Sequence, residues 1–155
     1  MKNMTLRNIA DACNGKLVCK KEEENLTISG AVLDSRLVEE GYLFFATKGE
    51  RVDGHSFIAQ VAEKKALCVV CEKVPENVDI AYILVEDSFD ALKKTAMFYR
   101  ENLTIPVVGI TGSVGKTSTK EMISSVLSVR YNVLKTEGNF NNEIGLPLTI
   151  LRIRD

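Results

Sequence analysis

The feature that most constrains the fold of this chain is the segment TGSVGKTS at residues 111–118. It follows an apolar, β-branched run at residues 107–110 and precedes a stretch to about residue 130 whose apolar residues recur at helical spacing. A strand, a glycine turn and a helix in this order are typical of a βα unit in a parallel sheet. We therefore expect a strand at 107–110 and a helix over 116–130 that buries Met122, Ile123, Val126 and Leu127.

The same segment has the residue types of a phosphate-binding loop. Gly112 and Gly115 let backbone amides approach a polyphosphate, and the start of a helix favours negative charge. Lys116 is expected to contact the β and γ phosphates, and the Thr117 hydroxyl to bind Mg²⁺. The full pattern G-x-x-x-x-G-K-[ST] requires glycine at position 110, where this chain has Ile110. We interpret the segment as a short form of the loop; a purely structural glycine turn is the alternative.

A second polar segment, TEGNFNNEIGLP at residues 136–147, begins where a predicted strand at 131–136 ends. Parallel sheets place their ligand loops at the carboxyl ends of strands, so its asparagines are candidates for ligand contacts. Alternatively, Asn141 or Asn142 caps a helix predicted at 144–151. The spacing alone leaves both interpretations open.

The first hundred residues alternate short β-type runs with helical periodicity, which predicts a mixed α/β fold. Thr5 is expected to cap the first helix, and Asp87 or Ser88 a longer one over residues 88–102. A crossover helix is predicted at 56–64. The strands are predicted at residues 17–19, 26–33, 42–46, 67–72 and 82–85.

Pro106 indicates a domain boundary, because proline cannot continue the preceding helix and biases residue 105 toward extended structure. We predict a small mixed α/β domain at residues 1–103, followed at 104–155 by the start of a parallel-sheet ATPase domain of the P-loop type. About 50 residues are too few to close a doubly wound sheet, whose βα units take roughly 30 residues or more each. We therefore expect the chain to be a truncated part of a longer protein.

Two polar turns follow predicted strands of the first domain, namely DSR at residues 34–36 and the glycine-containing segment at 49–55. Arg36 or Arg51 could pair with a phosphate in bidentate fashion, and Ser35 could bond a base or sugar. Solvated turns with one structural ion pair explain the same residues, and the spacing alone favours that interpretation. His55 gains little support as a general base, since the sequence shows no nucleophile paired with it.

The composition excludes several classes of function. The 20 Lys and Arg residues balance 21 Asp and Glu residues, so no strong positive field favours nucleic acid or anionic lipid. The apolar runs are far shorter than the roughly 20 residues of a membrane-spanning helix, and the N-terminus lacks the pattern of a signal peptide. A cytoplasmic protein without membrane insertion is expected.

The four cysteines include a C-x-x-C pair, Cys68 and Cys71, which could indicate a redox pair or half a metal site. Both lie in an apolar run that predicts a strand, on which residues three apart point to opposite faces. We therefore expect reduced cysteines in the core rather than a disulfide or a zinc site.

Together these motifs resemble the Mur ligase family. The resemblance rests on TGSVGKTSTKEM and TEGNFNNEIGLPLT, preceded by DSR, GYLFFA and DGHSFI, and covers essentially the whole chain. It implies a three-domain ligase, of which this chain would hold the first domain and the opening of the ATPase domain. The double asparagine followed by IGLP favours the member that adds D-alanyl-D-alanine over the sister ligase that shares the earlier motifs.

The resemblance also implies a set of site residues. Catalytic roles would fall to Lys116 and Thr117, with Mg²⁺ at Thr117. ATP would be bound by Gly112, Ser113, Val114, Gly115, Lys116, Thr117, Ser118 and Asn142. The uridine-nucleotide end of the substrate would be bound by Leu33, Ser35, Arg36, Glu50, Arg51 and Val52.

The implied reaction activates the carboxylate of UDP-MurNAc-tripeptide with ATP as an acyl phosphate, which the amine of D-Ala-D-Ala then attacks. Lys116 and Mg²⁺ would stabilise charge on the transferring phosphoryl group. The remaining Mg²⁺ ligands and the dipeptide site would lie beyond residue 155, so the chain alone is expected to be inactive and the full-length protein to be a monomer. The alternatives are another P-loop enzyme, such as a kinase, a GTPase or a folylpolyglutamate synthase, and a non-catalytic binding module.

Overall fold

The computed structural model describes residues 1–49, 52–138 and 142–154. Within these ranges the chain forms five β-strands and five α-helices, with short 3₁₀ helices at Ser35–Leu37 and Gly54–Phe57. The strands are β1 (Lys16–Val18), β2 (Gly30–Val32), β3 (Tyr42–Phe45), β4 (Cys68–Cys71) and β5 (Ala81–Leu84). The helices are α1 (Leu6–Ala12), α2 (Ile58–Glu63), α3 (Ser88–Glu101), α4 (Lys116–Leu127) and α5 (Gly145–Leu151).

The strands form one sheet in the order β1-β5-β4-β3-β2. Strands β2 to β5 are parallel, and β1 pairs antiparallel with β5. The expected mixed α/β class is therefore confirmed. Because the four parallel strands share one direction, their carboxyl ends lie at a single edge of the sheet, which we call the carboxyl edge.

The sheet separates two hydrophobic cores. Leu43 and Phe45 lie in the larger core with α1 and α3, whereas Phe44 between them lies in the smaller core with α2. Strand alternation produces this division, and it also separates the two cysteines of the C-x-x-C pair. Cys68 is buried in the larger core and Cys71 in the smaller one, and both are free thiols whose pKa is raised by burial. The expected burial of this pair in the core, on opposite faces of the sheet, is confirmed.

Local side-chain bonds begin the helices where the sequence predicts. The Thr5 hydroxyl accepts the Asn8 amide at 3.2 Å at the start of α1. Asp87, not Ser88, caps α3, because its carboxylate accepts the amides of Phe89 and Asp90 at 2.7 and 2.9 Å. None of the described helices is long and apolar enough to span a membrane.

Helix α5 packs against the first part of the chain. Leu151 is fully buried in the larger core, and the Tyr99 hydroxyl on α3 donates to the Ile153 carbonyl at 2.8 Å. Lys93, also on α3, forms a 2.5 Å ion pair with Glu143 just before α5. The domain boundary at residues 103 and 104 remains a prediction. Helix α5 follows this boundary in the sequence, but its side chain Leu151 packs into the core formed by residues that precede the boundary.

Three expectations for the second part were wrong. Residues 107–110 and 131–136 do not form strands, and α4 ends at Leu127 with Met122 and Val126 exposed instead of inward. A strand exists only where a neighbour completes its ladder of hydrogen bonds. No described segment pairs with either run, and no described sheet covers that face of α4.

Candidate functional site

The turn before α4 has the backbone geometry of an anion-binding loop. Gly112 and Gly115 have φ angles of +147° and +79°, which favour glycine, and Gly115 is the residue before α4. The first hydrogen bond of the helix runs from the Thr119 amide to the Gly115 carbonyl at 2.9 Å. The amides of the first three helical residues, Lys116 to Ser118, therefore have no acceptor within the helix. Together with the helix dipole, they favour a bound anion at this point.

The side chains of this loop face solvent. Val114 is 88% exposed, and Ser113, Thr117 and Ser118 are also exposed. The Lys116 ammonium folds back over the turn and donates to the Gly112 carbonyl. A phosphate that entered the loop could take this ammonium from the carbonyl, which carries only a partial charge.

The Thr117 hydroxyl suits one position in the coordination of Mg²⁺. It is an exposed oxygen in the first turn of α4, beside the amides that would hold phosphate. Mg²⁺ usually takes one or two protein ligands, with phosphate oxygens and waters completing the octahedron. The described residues contain no cluster of three or more His, Cys, Asp or Glu side chains that could hold a metal ion alone. Mg²⁺ binding at Thr117 stays a prediction.

Charged side chains connect α4 with the extended residues that follow it. Lys120 donates to the Thr136 carbonyl at 2.6 Å, and Glu121 pairs with Lys135. The Lys135 ammonium, which donates to that carboxylate, lowers the pKa of Glu121. Arg152, at the end of α5, pairs with Glu137 at 2.7 Å. Residues 135–137 are therefore tied to both α4 and α5.

Asn142 makes a turn that begins α5. Its side-chain oxygen accepts the Gly145 amide at 2.7 Å and the Ile144 amide at 3.3 Å. This is the capped turn that the sequence offered as one of two interpretations. Its contact with the nucleotide stays a prediction, and Asn141 lies outside the described residues.

At the carboxyl edge, the turn after β2 is closed by an ion pair. The Asp34 carboxylate accepts the Arg36 amide at 2.9 Å and is bonded by the Arg36 guanidinium at 2.9 and 2.7 Å. These bonds lower the pKa of Asp34 to about 2, and the guanidinium contributes more to the shift than the amide. The structural ion pair that the sequence favoured here is present, with Arg36 engaged by Asp34.

Ser35 is buried in this turn, and Leu33 packs against the larger core. Lys64, at the end of α2, donates to the carbonyls of Ser35 and Arg36 at 2.8 and 3.0 Å. Sequence reasoning missed Lys64, because nothing in the chain links a lysine to carbonyls nearly thirty residues away. The ammonium fixes the turn in which two of the predicted substrate residues lie.

The neighbouring turn follows β3, which pairs with β2 in parallel register. Its two arms are residues 47–49 and 52–55; Glu50 and Arg51, both predicted to bind substrate, lie outside the described residues. Two backbone hydrogen bonds join the arms: the Gly49 amide donates to the Val52 carbonyl, and the Gly54 amide donates to the Thr47 carbonyl, each at 2.9 Å. Val52 is exposed. The fold thus brings Leu33, Ser35 and Val52 to adjacent strand ends, and their contact with a ligand stays a prediction.

His55 ties this turn to the next strand. The Asp53 carboxylate accepts hydrogen bonds from the His55 backbone amide at 3.0 Å and from the His55 ring Nδ1 at 2.7 Å. These bonds, the backbone one more than the ring one, lower the pKa of Asp53. The ring Nε2 lies 3.0 Å from the Glu72 amide, just after β4. The Glu72 carboxylate in turn accepts the Ser88 amide at the start of α3, at 3.0 Å. Three strand ends are linked by this chain of bonds.

A parallel sheet with polar turns at its carboxyl edge, joined to a glycine loop that opens a helix, has the features of nucleotide-binding α/β proteins. The family model described as "Mur ligase family, catalytic domain" matches residues 27–116, and "Mur ligase middle domain" matches residues 110–155. The chain belongs to the Mur ligase family, as the motifs indicated.

Its relatives include UDP-N-acetylmuramoyl-tripeptide–D-alanyl-D-alanine ligase of Bacillus subtilis, 46% identical over 95% of this chain and 32% of the relative. MurF from Acinetobacter baumannii superposes with a TM-score of 0.83 and 38% identity, over 97% of this chain and 33% of that one. MurF from Thermotoga maritima, solved in complex with ADP, gives a TM-score of 0.70 and 44% identity over 81% of this chain and 29% of that one. The chain spans about a third of the length of the relatives it matches.

Proposed function

We propose that this chain is the N-terminal third of an ATP-dependent ligase that joins D-alanyl-D-alanine to UDP-MurNAc-tripeptide. In this proposal, residues 1–103 hold the uridine nucleotide of the substrate, and residues 104–155 begin the ATP-binding domain. The observation that carries it is the open glycine loop at the start of α4, within a chain whose relatives of 37% and 46% identity are named as this ligase. The exposed Val107, Val108 and Met122 fit a sheet that further chain would complete.

ATP would bind with its phosphates at the Gly112–Ser118 loop, where the amides of Lys116 to Ser118 have no acceptor within the helix. Lys116 would exchange the Gly112 carbonyl for a phosphate oxygen. Thr117 would hold Mg²⁺, which when bound neutralises charge on the phosphates. Asn142, at the start of α5, would lie beside the nucleotide.

The uridine nucleotide would lie across the two turns at the carboxyl edge. Leu33 and Ser35 come from one turn, and Glu50, Arg51 and Val52 from the other. Arg36 would contribute charge near the diphosphate from the rim of the first turn, where its guanidinium is exposed beside Asp34. The γ-phosphoryl group of ATP would pass to the substrate carboxylate with release of ADP; the dipeptide amine would then form the amide and release phosphate.

The test is Lys116→Ala in the full-length protein. We expect ADP release that depends on both UDP-MurNAc-tripeptide and D-Ala-D-Ala to fall about 100-fold or more, because the variant removes a charge that stabilises the transferring phosphoryl group. The measurement is a coupled ADP assay with each substrate omitted in turn. Lys21→Ala, which removes a lysine from an exposed turn, is the matched control and should keep wild-type activity. Undiminished activity in Lys116→Ala would refute the proposal.

A further inference from the structure

We infer that His55 is a positioning residue for the uridine-nucleotide substrate, because it fixes the described arms of the turn after β3, residues 47–49 and 52–55, to the end of β4; this rests on the proposed function. His55 itself touches none of the groups that react. Its ring is almost buried, at 12% exposure, between an acidic side chain of its own turn and the backbone of the neighbouring strand end.

The contacts define the tautomer of the ring. The Glu72 backbone amide can only donate, so Nε2 must accept and carry no hydrogen. The hydrogen therefore lies on Nδ1, which donates to the Asp53 carboxylate at 2.7 Å. The neutral imidazole is thus an oriented bridge, a donor within the turn and an acceptor toward the sheet.

Among the described residues, this bridge is a side-chain contact between the turn and the neighbouring strand β4. The Thr47 amide donates to the Phe45 carbonyl at the end of β3, and two further described bonds, Gly49 to Val52 and Gly54 to Thr47, close the turn upon itself. These two bonds set the distance between the arms, but they do not fix the position of the turn relative to the sheet, which depends on where the chain enters and leaves the turn. The His55 bond adds a fixed point on β4, whose residues are fully buried. The predicted contact residue Val52 lies three positions before His55 and shares its placement.

Two substitutions separate the halves of the bridge. In His55→Asn, the side-chain amide can replace Nδ1 and donate to Asp53, but it is too short to reach the Glu72 amide. In His55→Gln, the longer side chain can place its oxygen near the position of Nε2 and accept that amide. The two variants are similar in polarity and carry no charge; His55→Asn keeps the bond to Asp53 and loses the tether to β4, whereas His55→Gln keeps the tether and loses the bond to Asp53.

The experiment is steady-state kinetics of the full-length ligase. Loss of one hydrogen bond should raise KM for UDP-MurNAc-tripeptide about two- to tenfold in His55→Asn. The KM for ATP and kcat should stay at wild-type values, and His55→Gln should restore most of the lost affinity. A general folding defect would not discriminate between the two substrates in this way.

The outcomes are distinct. If ADP release by the wild-type enzyme does not depend on UDP-MurNAc-tripeptide, both the proposed function and this inference are wrong. An active wild type with unchanged KM in His55→Asn, or equal changes in both variants, overturns the inference alone. If His55→Asn does not fold, amide hydrogen exchange of the wild type decides. The Glu72 amide should exchange slowly in the free enzyme, and UDP should slow exchange at Gly49 and Gly54; fast exchange at Glu72 or no effect of UDP contradicts the inference.

Discussion

At the scale of single residues, the polar side chains at the carboxyl edge bond mainly to backbone groups close in sequence. Asp34 bonds the amide two residues ahead, and Asp53 does the same. Such turns are a property of aspartate after a strand, so the sequence could indicate them. The bonds made by Lys64 and by His55 Nε2 join distant segments, and no local pattern encodes them.

The Asp34–Arg36 pair leads to a prediction about pH. The pKa of Asp34 is about 2 in the fold, below the value of about 3.9 for an unperturbed aspartate. A lowered carboxyl pKa stabilises the fold fully above the unfolded value, and this contribution is lost as pH falls from about 4 through 2. An NMR titration of the Asp34 carboxyl should give a midpoint near 2. Arg36→Ala should raise it, while Arg7→Ala, which removes a remote ion pair with Glu24, should not.

A midpoint near 4 in the wild-type chain would contradict this account of the turn. The Arg36 guanidinium would then be unpaired in solution, and it would be available to bind a phosphate directly. A midpoint near 2 places Arg36 on Asp34 before any ligand arrives, and assigns it a supporting charge in the proposed site.

At the scale of elements, most of the first part could be predicted from local pattern. Strands β3, β4 and β5 and helix α3 form within two residues of their predicted ends, because alternation, capping and helical spacing agree there. Predicted runs 107–110 and 131–136 failed for the opposite reason. Their apolar residues suit a buried strand, but pairing decides whether a strand forms, and a single segment does not contain its partner.

The packing of α5 against α3 could not be predicted from the sequence, because it joins residues on both sides of the predicted domain boundary. Leu151→Ala should cost about 2–5 kcal/mol in the free energy of unfolding, because its side chain is fully buried in the larger core. Leu146→Ala on the same helix is the matched control and should cost about 0.5 kcal/mol or less, because Leu146 is half exposed. Urea denaturation of the chain measures both. Equal costs for the two variants would mean that α5 does not dock on α3.

At the scale of the whole molecule, the chain combines two buried hydrophobic cores with an exposed helix, α4. Side chains from the sheet, α1, α2, α3 and α5 form the two buried cores, whereas α4 leaves Met122 and Val126 exposed. The family accounts for this division, since the relatives are about three times as long. In the proposed ligase, this chain contributes a substrate edge and a phosphate loop.

The most direct test of that claim is to identify the product. The full-length protein would be incubated with ATP, Mg²⁺, UDP-MurNAc-tripeptide and D-Ala-D-Ala, and the nucleotide product analysed by mass spectrometry beside an ADP assay. We predict a uridine nucleotide heavier by the dipeptide less one water, with one ADP released for each product molecule. ADP release without that product, or the same ADP release when the dipeptide is omitted, would contradict the proposed ligase.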